Sequence, residues 1–206
     1  MRKKIFSLIG ILSALLLWGC YPHGPEYTQD LDIVVTHHNP DYNFAAKGTY
    51  ALPDHIVKIT GNLQEGDAPE FIPDNNASQI LARIESNMTA LGWTKVAYDA
   101  SPAPDLLFLP AAWETTTIYY YYDYWYWWYG SYYPYYPYYP PVYVSSYTTG
   151  TLLMTMQDPT LLGTNGNPVN QWTGVLNGVL NDSFNATRIN GLIDQAFTQS
   201  QYLKTN

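Results

Sequence analysis

The chain is short of the residues that most chemistry needs. It has one cysteine, Cys20, in 206 residues. That excludes an intramolecular disulfide and a thiolate-based metal site. Cationic side chains are scarce, 9 Lys+Arg against 17 Asp+Glu, for a net charge of −8. A surface of this sign repels phosphate backbones and argues against nucleic acid as a partner. It also disfavours broad docking on anionic lipid. There is no glycine-rich phosphate loop, no H-E-x-x-H and no G-x-S-x-G, the patterns that would announce nucleotide binding, zinc proteolysis or a serine nucleophile. The longest apolar run, Ile5 to Trp18, is short of the ~20 residues that a hydrocarbon-spanning helix requires.

That run has another use. It follows the basic Met1-Arg2-Lys3-Lys4 and ends at Gly19-Cys20, the shape of a secretory leader. Leu17-Trp18-Gly19-Cys20 resembles a bacterial lipobox, in which the cysteine thiol is lipidated and the peptide is cut just before it. Residues 1–19 are therefore expected to be a lipoprotein signal peptide, with Cys20 as the lipidation site. Two or three acyl chains there would anchor stably, where one would bind marginally. Loss of Arg2, Lys3 and Lys4 leaves 6 Lys+Arg against 17 Asp+Glu in the mature chain. Residues 20–30, with two prolines and a glycine, read as a tether. Tyr21 rather than aspartate after the cysteine resembles the sorting signal for the outer membrane, facing the periplasm or the surface.

The abundant material is aromatic. Tyr119 to Tyr147 holds 15 of 21 tyrosines and three of seven tryptophans. Extended at ~3.3 Å per residue, this stretch reaches about 95 Å, so it must double back or project. Gly130-Ser131 marks a turn. Before it, Ile118 to Tyr129 has high β-propensity and no proline. After it, Tyr-Tyr-Pro recurs three times, and proline at every third position favours polyproline II geometry. One reading is a long loop whose tyrosines lie on their own domain. The other is a contact surface, because Tyr and Trp pair a large apolar body with a polar tip. Its candidate residues are Tyr122, Tyr124, Trp125, Tyr126, Trp127, Trp128 and Tyr129 on the first run, then Tyr133, Tyr136 and Tyr139 on the second. Partner protein, glycan and membrane surface all fit that chemistry.

On either side lies ordinary globular sequence, taken as one domain over 31–206 with the aromatic insertion at 118–147. Asp30–Thr36 reads as a strand, and Lys47–Leu52 as a second. Asp74-Asn75-Asn76 offers N-caps for a helix to Leu91, with Ile80, Ile84 and Met88 on one stripe and Gly92 at the C′ position. Trp93–Tyr98 and the continuously apolar Leu106–Leu109 read as strands, the latter buried on both faces, with Pro110 marking a bulge or an edge. Gly150–Met156 alternates, Leu152, Met154 and Met156 on one face and Thr151, Leu153 and Thr155 on the other. Asn165-Gly166 is a hairpin dipeptide, Gln171–Leu176 the return strand. Asp182 or Ser183 is placed to cap a last helix bearing Ile189, Leu192, Ile193, Ala196 and Phe197. The expected fold is α+β, a mostly antiparallel sheet of about five or six strands with two main helices on one face.

Candidate chemistry is thin. His37 and His38 are adjacent on a strand, so their side chains point to opposite faces and do not chelate one ion together. Asp99, Asp105 and Glu114 are carboxylates that could converge, but they flank strands, where caps and turns are the ordinary role. No catalytic residue, metal ligand or cofactor is assigned.

The order of short motifs resembles a family of bacterial envelope lipoproteins, domain of unknown function 4136. The motifs are Asn43-Phe44, Lys47-Gly48-Thr49-Tyr50-Ala51, Leu91-Gly92-Trp93, Pro104-Asp105-Leu106-Leu107, Gly150-Thr151-Leu152 and Trp172-Thr173-Gly174. Members often carry a Gly-, Tyr- and Trp-rich insertion at the position of the aromatic stretch, and an arginine at the position of Thr173. The resemblance implies fold and location, and no activity. The expectation for function is a non-catalytic, lipid-anchored envelope protein that binds or scaffolds through its aromatic extension. The alternative is a small-molecule-binding or hydrolytic domain with an acidic pocket.

Overall fold

The structure is a computed structural model that describes residues 33–59, 69–113, 150–163, 168–180 and 184–206. The expected leader and tether and the aromatic insertion lie outside the described residues, as does the Asn165-Gly166 pair expected to form a hairpin turn.

The elements run β1 (Ile33–His38), a 3-10 turn (Phe44–Ala46), β2 (Thr49–Ala51), β3 (Val57–Ile59), β4 (Glu70–Phe71), α1 (Asp74–Ala90), β5 (Thr94–Lys95), β6 (Leu106–Trp113), β7 (Thr151–Leu162), β8 (Pro168–Asn177), α2 (Ala186–Thr198) and a final 3-10 turn (Gln201–Leu203). The sheet has eight strands in the order β1-β8-β7-β6-β2-β5, with β3 on β6 and β4 on β3. It is mostly antiparallel; β2 pairs in parallel with β5 and β6, and β3 in parallel with β6. The expected five or six strands were too few. The additional ones are pairings of two or three residues, too short to show any periodicity in sequence.

Two helices and a sheet face share one core. Ile80, Ile84 and Met88 of α1 and Ile189, Ile193 and Phe197 of α2 pack with Leu106, Phe108, Leu152, Met154, Met156 and Trp172. The alternate residues Leu107, Leu109, Ala111, Trp113, Leu153 and Val175 form a second buried cluster on the opposite face. Burial on both faces is why β6 reads as an unbroken apolar run. Pro110 sits in the middle of β6, opposite Met154 of β7, and not at an edge. On the other flank the neighbouring chain leaves the ladder between Ala51 and Val57, so the pairing beside this proline is already interrupted.

Both helices begin differently from the sequence expectation. Pro73 is the N-cap of α1, and Asp74 is its first residue. Proline and aspartate both suit a helix start, through fixed φ and the N-terminal dipole respectively. The cap of α2 is Asn185, whose side chain accepts from the Arg188 N–H at 3.1 Å. Gly92 ends α1 as expected, with φ of +93°. The helices are joined by Arg83 of α1, whose guanidinium grips Asp194 of α2 through two nitrogens, Nε at 2.6 Å. Asn87 adds a third donor at 2.9 Å.

Candidate functional site

Three places hold the polar groups from which a function could be built: the root of the aromatic insertion, a pair of carboxylates at one end of the sheet, and a cleft beside β5.

The root is defined by its flanks. β6 ends at Trp113 and β7 resumes at Thr151, and these two residues are register partners. The Gly150 N–H donates to the Trp113 carbonyl at 2.7 Å, with Gly150 at φ of +81°. That positive φ is a conformation glycine adopts without a Cβ penalty. The Leu180 N–H in turn donates to the Gly150 carbonyl at 2.8 Å. The described residues on the two sides of 114–149 are therefore held together at one ladder position. Cys20 and the ten candidate aromatic residues from Tyr122 to Tyr139 all fall outside the described residues, as does Glu114.

The carboxylates are Asp105 and Asp158. Asp105 accepts from the backbone N–H of Gly48 at 2.9 Å and of Thr49 at 3.0 Å, and from the Thr49 hydroxyl at 2.9 Å. Its own N–H donates to Thr49 Oγ1 at 3.0 Å. Asp158 accepts the Tyr42 hydroxyl at 2.7 Å and the Lys47 ammonium at 3.0 Å on one oxygen. Its other oxygen accepts from Thr160, N–H at 2.9 Å and hydroxyl at 2.6 Å. Burial pushes both carboxyls up, but the donors outweigh it and hold both below the usual range. The Tyr42 hydroxyl moves the opposite way, raised by its own burial and by the Asp158 charge. Lys47-Gly48-Thr49, a motif known from sequence only as a string, is thus the donor set for two acids far along the chain. Asp105 ties β2 to β6; Asp99 lines the cleft beside β5, and Asp105 is not among that cleft's lining residues.

The remaining motif residues also have mechanical roles. Trp93 Nε1 donates to the Leu203 carbonyl at 2.7 Å. Trp172 Nε1 donates to Ser200 Oγ at 2.9 Å, and the ring stacks on Phe197 at 5.7 Å. A Cβ on Gly174 would meet the Trp172 ring at 2.6 Å, so the absent side chain is what lets the indole lie flat. Thr173 follows on the opposite face, as register partner of His37. The two histidines do point apart: His38 stacks on Tyr202 at 3.7 Å, and His37 is on the other face. Among the described residues no group of three His, Cys, Asp or Glu is placed to hold a metal ion.

The cleft, of about 610 Å³, is bordered by Leu52 and Asp54 after β2, Glu85 of α1, Lys95 of β5, and Tyr98 and Asp99 after it. Of the two expected carboxylates that the structure describes, Asp99 is here and Asp105 is not. Sequence reasoning missed Asp54 and Glu85, which belong to no motif singled out in the sequence.

The profile of domain of unknown function DUF4136 matches residues 34–200. The chain belongs to the DUF4136 family. A crystal structure of a DUF4136 family protein from Bacteroides thetaiotaomicron has the same fold, with a TM-score of 0.59 at 24% identity, over 84% of this chain and 97% of that one. A PelC dodecamer from Paraburkholderia phytofirmans is more distant, TM-score 0.40 and 13% identity over 85% and 99% of the two chains. A PDZ domain protein from Parabacteroides distasonis gives 0.35 and 16%, over 84% of this chain and 35% of that chain. No curated protein matches this DUF4136 chain.

Proposed function

We propose that this DUF4136 protein is a non-catalytic lipoprotein of the cell envelope, anchored through acyl chains on Cys20, which binds or scaffolds through its Tyr/Trp-rich extension at 118–147. The observation that carries the reading is the single insertion point. Strands β6 and β7 pair up to Trp113 and Thr151, so among the described residues the sheet and its core hold together with both flanks of the insertion at one ladder position. Tyr and Trp side chains supply contact area at low entropic cost and a polar tip for hydrogen bonding. The polar groups of the body support the same reading. Asp158 accepts on both oxygens, from Tyr42 and Lys47 on one and Thr160 on the other, and Asp105 accepts three donors from Gly48 and Thr49 on one oxygen; both carboxylates are committed to structural contacts, which favours a non-catalytic body. The partner is an envelope protein, a glycan or the membrane surface.

The test is in-cell crosslinking from a photoreactive group at Trp127 or Trp128, combined with deletion of Tyr119–Tyr147. A discrete crosslinked partner, lost on deletion while the shortened chain stays folded, is the expected result. Equal binding of that partner by the shortened chain would overturn the reading, as would recovery of the native protein free of acyl chains.

A further inference from the structure

The second face of the sheet is buried, yet no layer covers it among the described residues. Leu109, Ala111 and Trp113 of β6, Leu153 of β7 and Ile59 of β3 are at most 4% exposed. They stand side by side on one face and point the same way, so they do not shield one another's tips. A sheet face withdrawn from water to this degree has something packed across it. Neither helix supplies that layer: every buried residue of α1 and α2 belongs to the cluster on the other face.

The burial is graded across the face. Val35 of β1 is the register partner of Val175 of β8, and side chains directly opposite each other share a face. Val175 is 3% exposed, whereas Val35 is 42% and Ile33, two residues back on the same side of its strand, is 55%. The cover therefore lies over β3, β6 and β7 and stops short of β1. That gradient sorts the stretches of chain outside the described residues. Residues 1–32 enter the sheet at β1, the side left open. Residues 60–68, 164–167 and 181–183 hold one large apolar side chain between them, Leu63. Residues 114–149 start at Trp113 and end at Gly150, where the face is fully buried, and they carry the apolar area to cover it.

We propose that this face is the docking site of the chain's own aromatic insertion, which folds back over β3, β6 and β7 as the counterpart of the helix layer on the other side. The match is one of chemistry. The face presents aliphatic and indole surface, and Tyr and Trp bury a large apolar body while keeping a polar tip outward. The insertion is then two-sided, its inner side on the sheet and its outer side toward solvent or a partner. This inference does not depend on the partner contact proposed above.

The experiment places a photoreactive phenylalanine in turn at Tyr124, Trp125 and Tyr126 of the purified full-length protein and maps the crosslinks by mass spectrometry. Crosslinks within one chain to β3, β6 or β7 are expected from at least one position, and their absence from all three overturns the proposal. A second arm adds Leu153→Asn to the full-length chain and to a chain lacking Tyr119–Tyr147. In the full-length chain the amide is buried and should clearly lower the melting temperature. In the shortened chain, where the face meets water, it should lower it by less than half as much. The shortened chain should also bind an apolar dye several-fold more strongly than the wild type. Equal losses in the two chains, or unchanged dye binding, overturn the proposal; if the shortened chain does not fold, the crosslinks alone decide. A partner captured in cells at Trp127 or Trp128, or none, leaves these results unchanged, so the two readings fail separately.

Discussion

Lys47 and Asp158 form an ion pair of 3.0 Å in which the two ends differ sharply in exposure, 27% for the lysine side chain and 2% for the aspartate. The burden of the pair falls on the acid. A carboxylate withdrawn from water needs several donors to compensate its lost hydration, and Asp158 has them in Tyr42, Lys47 and Thr160. Lys47 can turn to solvent if its partner is lost.

Replacing Asp158 with alanine should therefore destabilise the protein by about 2–3 kcal/mol, through orphaned donors of which Tyr42 is the costliest. Lys47→Met should cost clearly less, since the acid keeps its other donors. Urea unfolding of the two variants tests the order. A larger loss for Lys47→Met would show that the ammonium, and not the hydroxyls, keeps the carboxylate charged.

The same groups set an acid limit. Asp105 and Asp158 are held below the usual carboxyl range in the folded state, while an unfolded aspartate titrates near ~3.9. A depressed folded value means the unfolded chain takes up protons first. Their stabilisation is complete above the unfolded value and drains away as the pH falls through the folded ones. Thermal midpoints should be flat above about pH 5 and drop below about pH 4, with a shallower drop in Asp158→Asn. A midpoint that rises on acidification would contradict the assignment.

Gly174→Ala should cost about 1–3 kcal/mol as an overpacked site. The new methyl would lie 2.6 Å from one atom of the Trp172 ring and 3.1 Å from the Met154 methyl. The indole has little freedom to yield, because Ser200 holds its N–H and Phe197 lies on its face. Gly191→Ala is the control: nothing lies within 4 Å of its Cβ position, and alanine favours a helix by roughly 1 kcal/mol over glycine. Opposite shifts in melting temperature are expected.

Periodicity made the large elements legible and left the small contacts unread. The stripe of Ile80, Ile84 and Met88 and the alternation of Leu152, Met154 and Met156 each announce a buried face, and both faces are buried as read. Strands β3 and β4 escaped because two or three residues cannot display a period; their pairing comes from the neighbour. Asn185 escaped as a cap because Asp182 and Ser183 nearby are equally good candidates, and only the start of α2 decides among them. Pro110 misled because a proline within an apolar run ordinarily marks an edge, whereas here the irregularity belongs to the adjacent chain. The hydrogen bonds of Asp105 to Gly48 and Thr49 span more than fifty positions, a distance at which sequence spacing carries no information. Tyr50 shows the same limit from the other side: its burial follows from the strand pattern, its lack of a partner does not.

The pairing of β1 with β8, Ile33 against Asn177 through His38 against Trp172, has a bearing on how the molecule is made. Among the described residues, this first strand finds its ladder partner only in β8, far along the chain. Until β8 emerges, the β1 pairing seen among the described residues cannot form, a long-range contact of the kind that slows closure. A chain assembled in this sequence carries its first sheet strand unpaired through most of its synthesis.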